Sequence, residues 1–277
     1  MQFESLRDKV VLVTGGARGI GKGLAKACLQ EGARVIITNL DADMGQRTAA
    51  ELQTLGAIRA VRCDATQRQE VEALLDDIWR LEGPPDVVFS NAGRGGNERA
   101  LDASLDDIRD VFATNFESAV IMAQSYVPRI LREGRSGHIM FTGSEHSVGL
   151  PGDNEELGFV FYGASKHAML IFAEWLRADL EGTNVTVSLL MPGPVMTESV
   201  QDTLKVLQTD PDNAALRSVF SKKVEQSLRE RIISTQQCAQ YALQGLRAGL
   251  FYIPTQAHIR KDIERRYQEM QSAFDAL

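Results

Sequence analysis

Lys9-Val10-Val11-Leu12-Val13-Thr14-Gly15-Gly16-Ala17-Arg18-Gly19-Ile20-Gly21 is the stretch that decides the fold. A short β-branched run ends in a threonine and a set of spaced glycines. Beyond them Ile20, Leu24, Ala27 and Cys28 recur at helical spacing. A buried strand that enters a helix through a glycine turn is the opening of a βαβ unit. Glycine tolerates left-handed backbone and lets the chain approach a ligand closely. The helix N-terminus that follows offers unpaired N–H groups and partial positive charge, which suit phosphates. The same pattern can also be a plain tight turn. Its place at the first βα junction of an α/β chain favours the binding role.

Working outward, residues 34–38, 57–63, 86–90, 137–142 and 185–191 read as further buried strands. Helices alternate with them. Val71, Leu74, Leu75 and Ile78 form one apolar stripe, and Ile108, Val111, Phe112 and Phe116 another. This order predicts one α/β domain over residues 1–277: a Rossmann-like, doubly wound, mostly parallel seven-stranded sheet with helices on both faces. Residues 250–253 are expected to be its last short strand. Residues 197–233 are mixed and charged, and they predict a mostly helical excursion. Residues 194–233 are its widest extent and are expected to cover a substrate. Residues 258–277 form a tail whose charged core, 259–274, predicts a helix.

With 277 residues and 44% hydrophobic content, the chain can bury one sizeable core. A net charge of -7 argues against nucleic acid or an anionic membrane as the main partner. No apolar run approaches the roughly 20 residues of a membrane span. Residues 1–9 are polar and lead directly into the first strand, so the expectation is a cytoplasmic protein without a signal peptide. Cys28, Cys63 and Cys238 are too scattered for a disulfide framework or a metal knuckle and read as small buried hydrophobes. His138, His146, His167 and His258 show no ligand spacing, so no metal is expected.

The Gly-xxx-Gly-x-Gly spacing after Thr14 resembles the short-chain dehydrogenase/reductase family. Further elements follow in that family's order over roughly residues 8–200. Asp64 and Ala65 end the third strand, where the family contacts adenine. Ser90-Asn91-Ala92-Gly93 is similar to its Asn-Asn-Ala-Gly element. Pro192-Gly193-Pro194-Val195-Met196-Thr197 is similar to its nicotinamide-side Pro-Gly motif. The resemblance implies a nicotinamide cofactor contacted by Gly15, Arg18, Gly19, Ile20, Gly21, Asn39, Asp64, Ala65, Asn91, Ala92, Gly93, Tyr162, Lys166, Pro192, Gly193, Val195 and Thr197.

Tyr162-Gly163-Ala164-Ser165-Lys166 carries the chemistry. Residues four apart share a helix face, so the phenol and the ammonium stand side by side. A phenol normally titrates near about 10. A neighbouring cation favours its anion, so a lowered value is expected, which would let Tyr162 exchange a proton with an alcohol. The resemblance assigns Ser144 to polarise the substrate oxygen and Asn115 to a proton relay. Two departures stand out. Gly143 replaces the first serine of the usual pair, which leaves Ser147 as a competitor to Ser144. The stretch before Tyr162 is also long, with Asp153-Asn154-Glu155-Glu156 in its middle.

These features predict reversible hydride transfer between NAD(P) and a secondary alcohol or ketone. The alternatives are a 3-oxoacyl thioester reductase and a non-catalytic nicotinamide sensor. Gly95, Gly96, Ser144, Glu145, His146, Val195, Met196, Val200 and Leu204 are the pocket candidates, and they predict a bulky apolar, aryl or ring-system substrate. The second strand ends in Asn39 rather than an acid, so nothing there repels a 2′-phosphate, and Arg18 can approach one. Asp41 and Asp43 weigh the other way. The balance leans to NADP, with NAD open. The resemblance also implies a homodimer or homotetramer built on the helices that begin near Leu105 and Phe161.

Overall fold

The computed structural model describes residues 3–96, 99–151, 157–217 and 220–277. The insertion at residues 153–156 lies outside them.

Seven strands form one parallel sheet: β1 (Val10–Val13), β2 (Arg34–Asn39), β3 (Ile58–Arg62), β4 (Val87–Ser90), β5 (Gly137–Thr142), β6 (Val185–Met191) and β9 (Tyr252–Pro254). Their spatial order is β3-β2-β1-β4-β5-β6-β9. All seven-sheet neighbours run parallel, with Val13 opposite both Ile37 and Phe89. The order reverses between β1 and β4, and a doubly wound sheet opens its crevice at the carboxyl ends of the strands at such a point.

Helices cover both faces. On one side lie α3 (Arg68–Leu81), α5 (Ser118–Arg132) and α6 (Val160–Asp179), with Leu75, Ile78, Met122, Tyr126, Met169 and Ala173 packed on Leu12, Val88 and Ile139. On the other lie α1 (Gly19–Gln30) and α10 (Thr235–Ala248), with Leu24, Cys28, Ala242 and Leu246 packed on Val11, Ile37 and Phe89. Each fully buried Leu or Ile contributes about 1.5–3 kcal/mol by leaving water. The helix α2 (Ala42–Leu52) follows β2, and α4 (Leu105–Phe112) precedes α5. All three cysteines are buried; burial pushes the Cys63 thiol up to about 11 and Cys238 up to about 12, which makes them inert core groups.

The excursion after β6 is bracketed by a small parallel pair, β7 (Val195–Met196) with β8 (Ile233–Ser234). Between them run α7 (Glu198–Thr209), α8 (Ala214–Arg217) and α9 (Lys222–Arg231). The last strand begins at Tyr252, two residues later than residue 250, because Gly249 adopts left-handed backbone and ends α10 there. The tail helix α11 (Arg260–Asp275) lies on the stretch after β5: Arg265 donates to Leu150 O at 2.9 Å and Arg266 to Val148 O at 3.1 Å. Among the described residues no helix is long and apolar enough to cross a membrane.

Candidate active site

The glycine turn is locked to the fourth strand. Thr14 Oγ1 accepts from the amides of Asn91 and Ala92, at 2.9 and 3.0 Å. The Asn91 amide returns bonds to Thr14 O and Gly15 O, at 3.1 and 3.3 Å. Asn91 thus spends its side chain on shaping the turn, and Thr142 Oγ1 donates to its remaining oxygen. Gly15 and Gly19 sit at φ of +61° and +56°. A Cβ on Gly21 would lie 2.3 Å from Gly15 O, so the turn closes only with glycine there. The N-cap of α1, Arg18, provides no side-chain bond to the helix end. Instead the Glu198 carboxylate accepts from Gly19 N at 2.7 Å.

Ser144 stands just beyond β5, after Gly143, and its backbone is extended. Its hydroxyl accepts from His146 N and hydrogen-bonds the Tyr162 phenol. Ser147, expected as a competitor, has another task. Its Oγ accepts from Ser144 N at 3.1 Å, and the pair closes a capping box on a single helical turn. That accounts for Gly143 as well, because a Cβ there would come within 2.8 Å of Ser147 Oγ.

Tyr162 and Lys166 lie on α6 as the spacing predicts, with the Lys166 nitrogen 5.7 Å from the Tyr162 ring centre. That nitrogen donates to Thr142 O at 2.7 Å, at the end of β5. Burial pulls the Lys166 ammonium down to about 8. The Tyr162 phenol does not follow the expected direction. Burial raises it, the Ser144 bond lowers it in part, and the Glu145 charge raises it again. Burial sets the direction, and Lys166 is not among the groups that shift the phenol.

Asn115 is fully buried, as its apolar flanks predict, but it sits in a π-helical turn, Ala113–Glu117, rather than in a regular helix. Its oxygen accepts from Arg94 N at 2.7 Å, and its amide donates to Arg94 O and Ser165 Oγ. It fixes the chain beyond Gly93, and a Cβ on Gly93 would lie 3.2 Å from Asn115 Oδ1 and 3.6 Å from Lys166 Nζ.

The cofactor candidates at the adenine side are half-buried. Asn39 ends β2 and donates to Asp41 O, while the Asp41 carboxylate caps α2 through Met44 N at 2.9 Å. Asp64 folds into a local turn with Thr66.

The pocket candidates divide. His146 meets Tyr162 and Phe159 edge-on, at 5.8 and 5.5 Å between ring centres, and burial lowers its imidazole. Gly95 is exposed. Met196 and Val200 are half-buried, whereas Val195 and Leu204 are buried. Glu145 is buried and directed elsewhere, its carboxylate 2.6 Å from His258 Nε2. The residues that sequence reasoning passed over are Glu198, Gln256 and His258. Their partners Gly19, Gly193 and Glu145 stand 179, 63 and 113 positions away in the chain, so no local pattern announces them.

A profile described as short chain dehydrogenase matches residues 9–207. The chain belongs to that family. Among similar proteins, 1-deoxy-11-beta-hydroxypentalenate dehydrogenase of Streptomyces exfoliatus is 40% identical over 199 residues, or 71% of this chain and 70% of that protein. The 7alpha-hydroxysteroid dehydrogenase of Escherichia coli K12 is 28% identical over 224 residues, or 80% of this chain and 79% of that protein. A short chain dehydrogenase/reductase from Burkholderia phymatum, crystallised in complex with NAD, superposes with a TM-score of 0.84 at 26% identity, over 97% of this chain and 96% of that one.

Proposed function

We propose that the chain is an NAD(P)-dependent oxidoreductase that interconverts a bulky secondary alcohol and its ketone. The observation that carries this reading is the convergence of the Ser144 hydroxyl and the Tyr162 phenol at the end of β5, with Lys166 on the same helix face. Two O–H donors meeting at one point can hold a substrate oxygen between them.

The residues fit a nicotinamide dinucleotide. The turn leaves no room for a Cβ at Gly21, and the Gly19 amide already donates to an anionic oxygen of Glu198. Gly15, Arg18, Gly19, Ile20 and Gly21 would hold the phosphates. Asn39, Asp64 and Ala65 would face the adenosine half. Asn91, Ala92, Gly93, Pro192, Gly193, Val195 and Thr197 would face the other end, with Tyr162 and Lys166. The bound dinucleotide would supply or accept the hydride.

The chain's own groups manage the proton. A phenol raised by burial stays protonated and is a donor to a ketone oxygen. Ser144 donates a second bond, which polarises the carbonyl. Lys166 stabilises the phenolate in the reverse direction, and Asn115 orders the backbone beside it.

His146 puts a ring edge against Tyr162 and Phe159 lies tilted beside it, which favours an apolar ring-bearing substrate. The two relatives acting on a hydroxypentalenate and on hydroxysteroids support the same class. For the cofactor this reading keeps NADP ahead of NAD, since β2 ends in the neutral Asn39 rather than in an acid that would repel a 2′-phosphate. Self-association through α6 belongs to the reading too, because Ile171 and Trp175 stand 52% and 66% exposed on it. The decisive experiment screens ring-bearing and short aliphatic alcohols and ketones with both cofactors, following absorbance of the reduced nicotinamide. Turnover confined to short aliphatic alcohols overturns the substrate class, and no turnover on any compound overturns the reading.

A further inference from the structure

The turn at residues 192–194 cannot hold itself. Pro192 and Pro194 have no amide hydrogen, so Gly193 N–H is its single backbone donor. That donor goes to the C-terminal segment between β9 and α11: to Gln256 Oε1 at 2.9 Å and Thr255 Oγ1 at 3.3 Å. The Gln256 amide reaches back to Pro194 O at 2.8 Å and to Arg231 O at 3.3 Å. Pro192 O is taken by Glu145 N at 2.8 Å. The Glu145 carboxylate meets His258 Nε2 at 2.6 Å, with the two side chains 6% and 18% exposed. Since a carboxylate only accepts, His258 Nε2 carries the hydrogen. Gly193 is enclosed by this set: a Cβ on it would stand 2.8 Å from Glu145 Oε2, 2.9 Å from Gln256 Oε1 and 3.0 Å from His258 Cε1.

We propose that Gln256, His258 and Glu145 are positioning residues that fix the 192–194 turn, and through it the nicotinamide end of the cofactor, relative to Ser144. The argument rests on the function proposed above. Glu145 is the residue after Ser144, so one buried contact ties the polarising serine, the turn and the C-terminal segment into a single unit. Gln256 binds both polar sides of the turn at once, which sets its orientation. A hydrogen bond with a carboxylate is short and strongly directional, so the His258–Glu145 contact holds its geometry. The C-terminal segment of this chain thereby acts at the active site without touching the reacting atoms.

The test compares two ligands that share everything except nicotinamide. Dissociation constants are measured by calorimetry for the reduced dinucleotide that wild type prefers and for the matching ADP-ribose, with or without the 2′-phosphate. In Gln256→Ala and His258→Ala, the dinucleotide constant should rise about tenfold while the ADP-ribose constant stays within about twofold. His258→Gln keeps an N–H donor and should recover part of the loss; it also serves if His258→Ala does not fold. Equal weakening of both ligands means a general structural role and overturns the proposal, as does no change in either. If wild type itself binds the dinucleotide no more tightly than ADP-ribose, the nicotinamide reading fails and this proposal falls with it.

Discussion

The Glu198 carboxylate accepts a hydrogen bond from the backbone nitrogen of Gly19 at 2.7 Å, joining the first residue of α7 to the first residue of α1. It brings a negative charge to the helix end that the proposed function reserves for phosphates. A carboxylate at a helix N-terminus contributes about 1 kcal/mol, and a phosphate arriving there must displace it. Glu198→Ala is therefore expected to bind ADP-ribose about fivefold more tightly than wild type, as read by calorimetry. Weaker binding would show that Glu198 assists the ligand instead of competing with it.

Ser144 and Ser147 are three residues apart and have different tasks, and their alanine variants should separate. Tyr162→Phe should keep the thermal midpoint near wild type while kcat falls more than about tenfold, and Ser144→Ala should lose kcat as steeply and also some stability, since each removes a donor to the substrate oxygen and Ser144 is in addition the acceptor for the buried His146 N–H. Ser147→Ala removes the acceptor for the buried Ser144 N–H and should lower stability by about 1–3 kcal/mol with the smaller loss of kcat. Denaturation curves and steady-state rates on the same three proteins check both halves.

His138 supplies a pH signature remote from the site. It lies in β5 with its ring nitrogens 2.8 Å from Thr186 Oγ1 and from Ser188 Oγ, and burial holds its pKa down at about 3. In the unfolded chain it protonates near about 6.5. Between those values the unfolded state binds the extra proton. Its contribution is therefore complete above the unfolded value and is lost as pH falls toward 3, by up to about 1.4 kcal/mol per pH unit. Midpoints measured across that range should show a shallower acid decline for His138→Gln than for wild type. Parallel curves would mean that His138 titrates alike in both states.

Asn39 tests the cofactor preference. Wild type is expected to favour NADP, and Asn39→Asp should move the ratio of kcat/KM values toward NAD by about tenfold or more, through repulsion of the 2′-phosphate. A wild-type preference for NAD would make Asn39 a ribose acceptor. An unchanged ratio in the variant would place selection elsewhere, with Arg18 the next position to vary.

What the sequence by itself determined is whatever repeats locally. The strand and helix periods, the glycine turn and the Tyr162–Lys166 spacing depend on neighbours within a turn or two, and β5, β6, α3 and α6 lie where those periods put them. Asn115 was legible for the same reason, since Phe112 and Phe116 mark its face as buried, although the π-helical turn that carries it was not. What only the tertiary structure decided are contacts between distant segments. Whether Ser147 competes with Ser144 or caps it depends on how the chain folds back after β5. The direction of the Tyr162 shift depends on how much water the finished fold excludes, which spacing along a helix does not reveal. Glu145 with His258, Gln256 with Gly193 and Glu198 with Gly19 join residues brought together by the sheet order. A side chain's partner is set by where the backbone delivers both of them, and spacing along the chain carries no record of that.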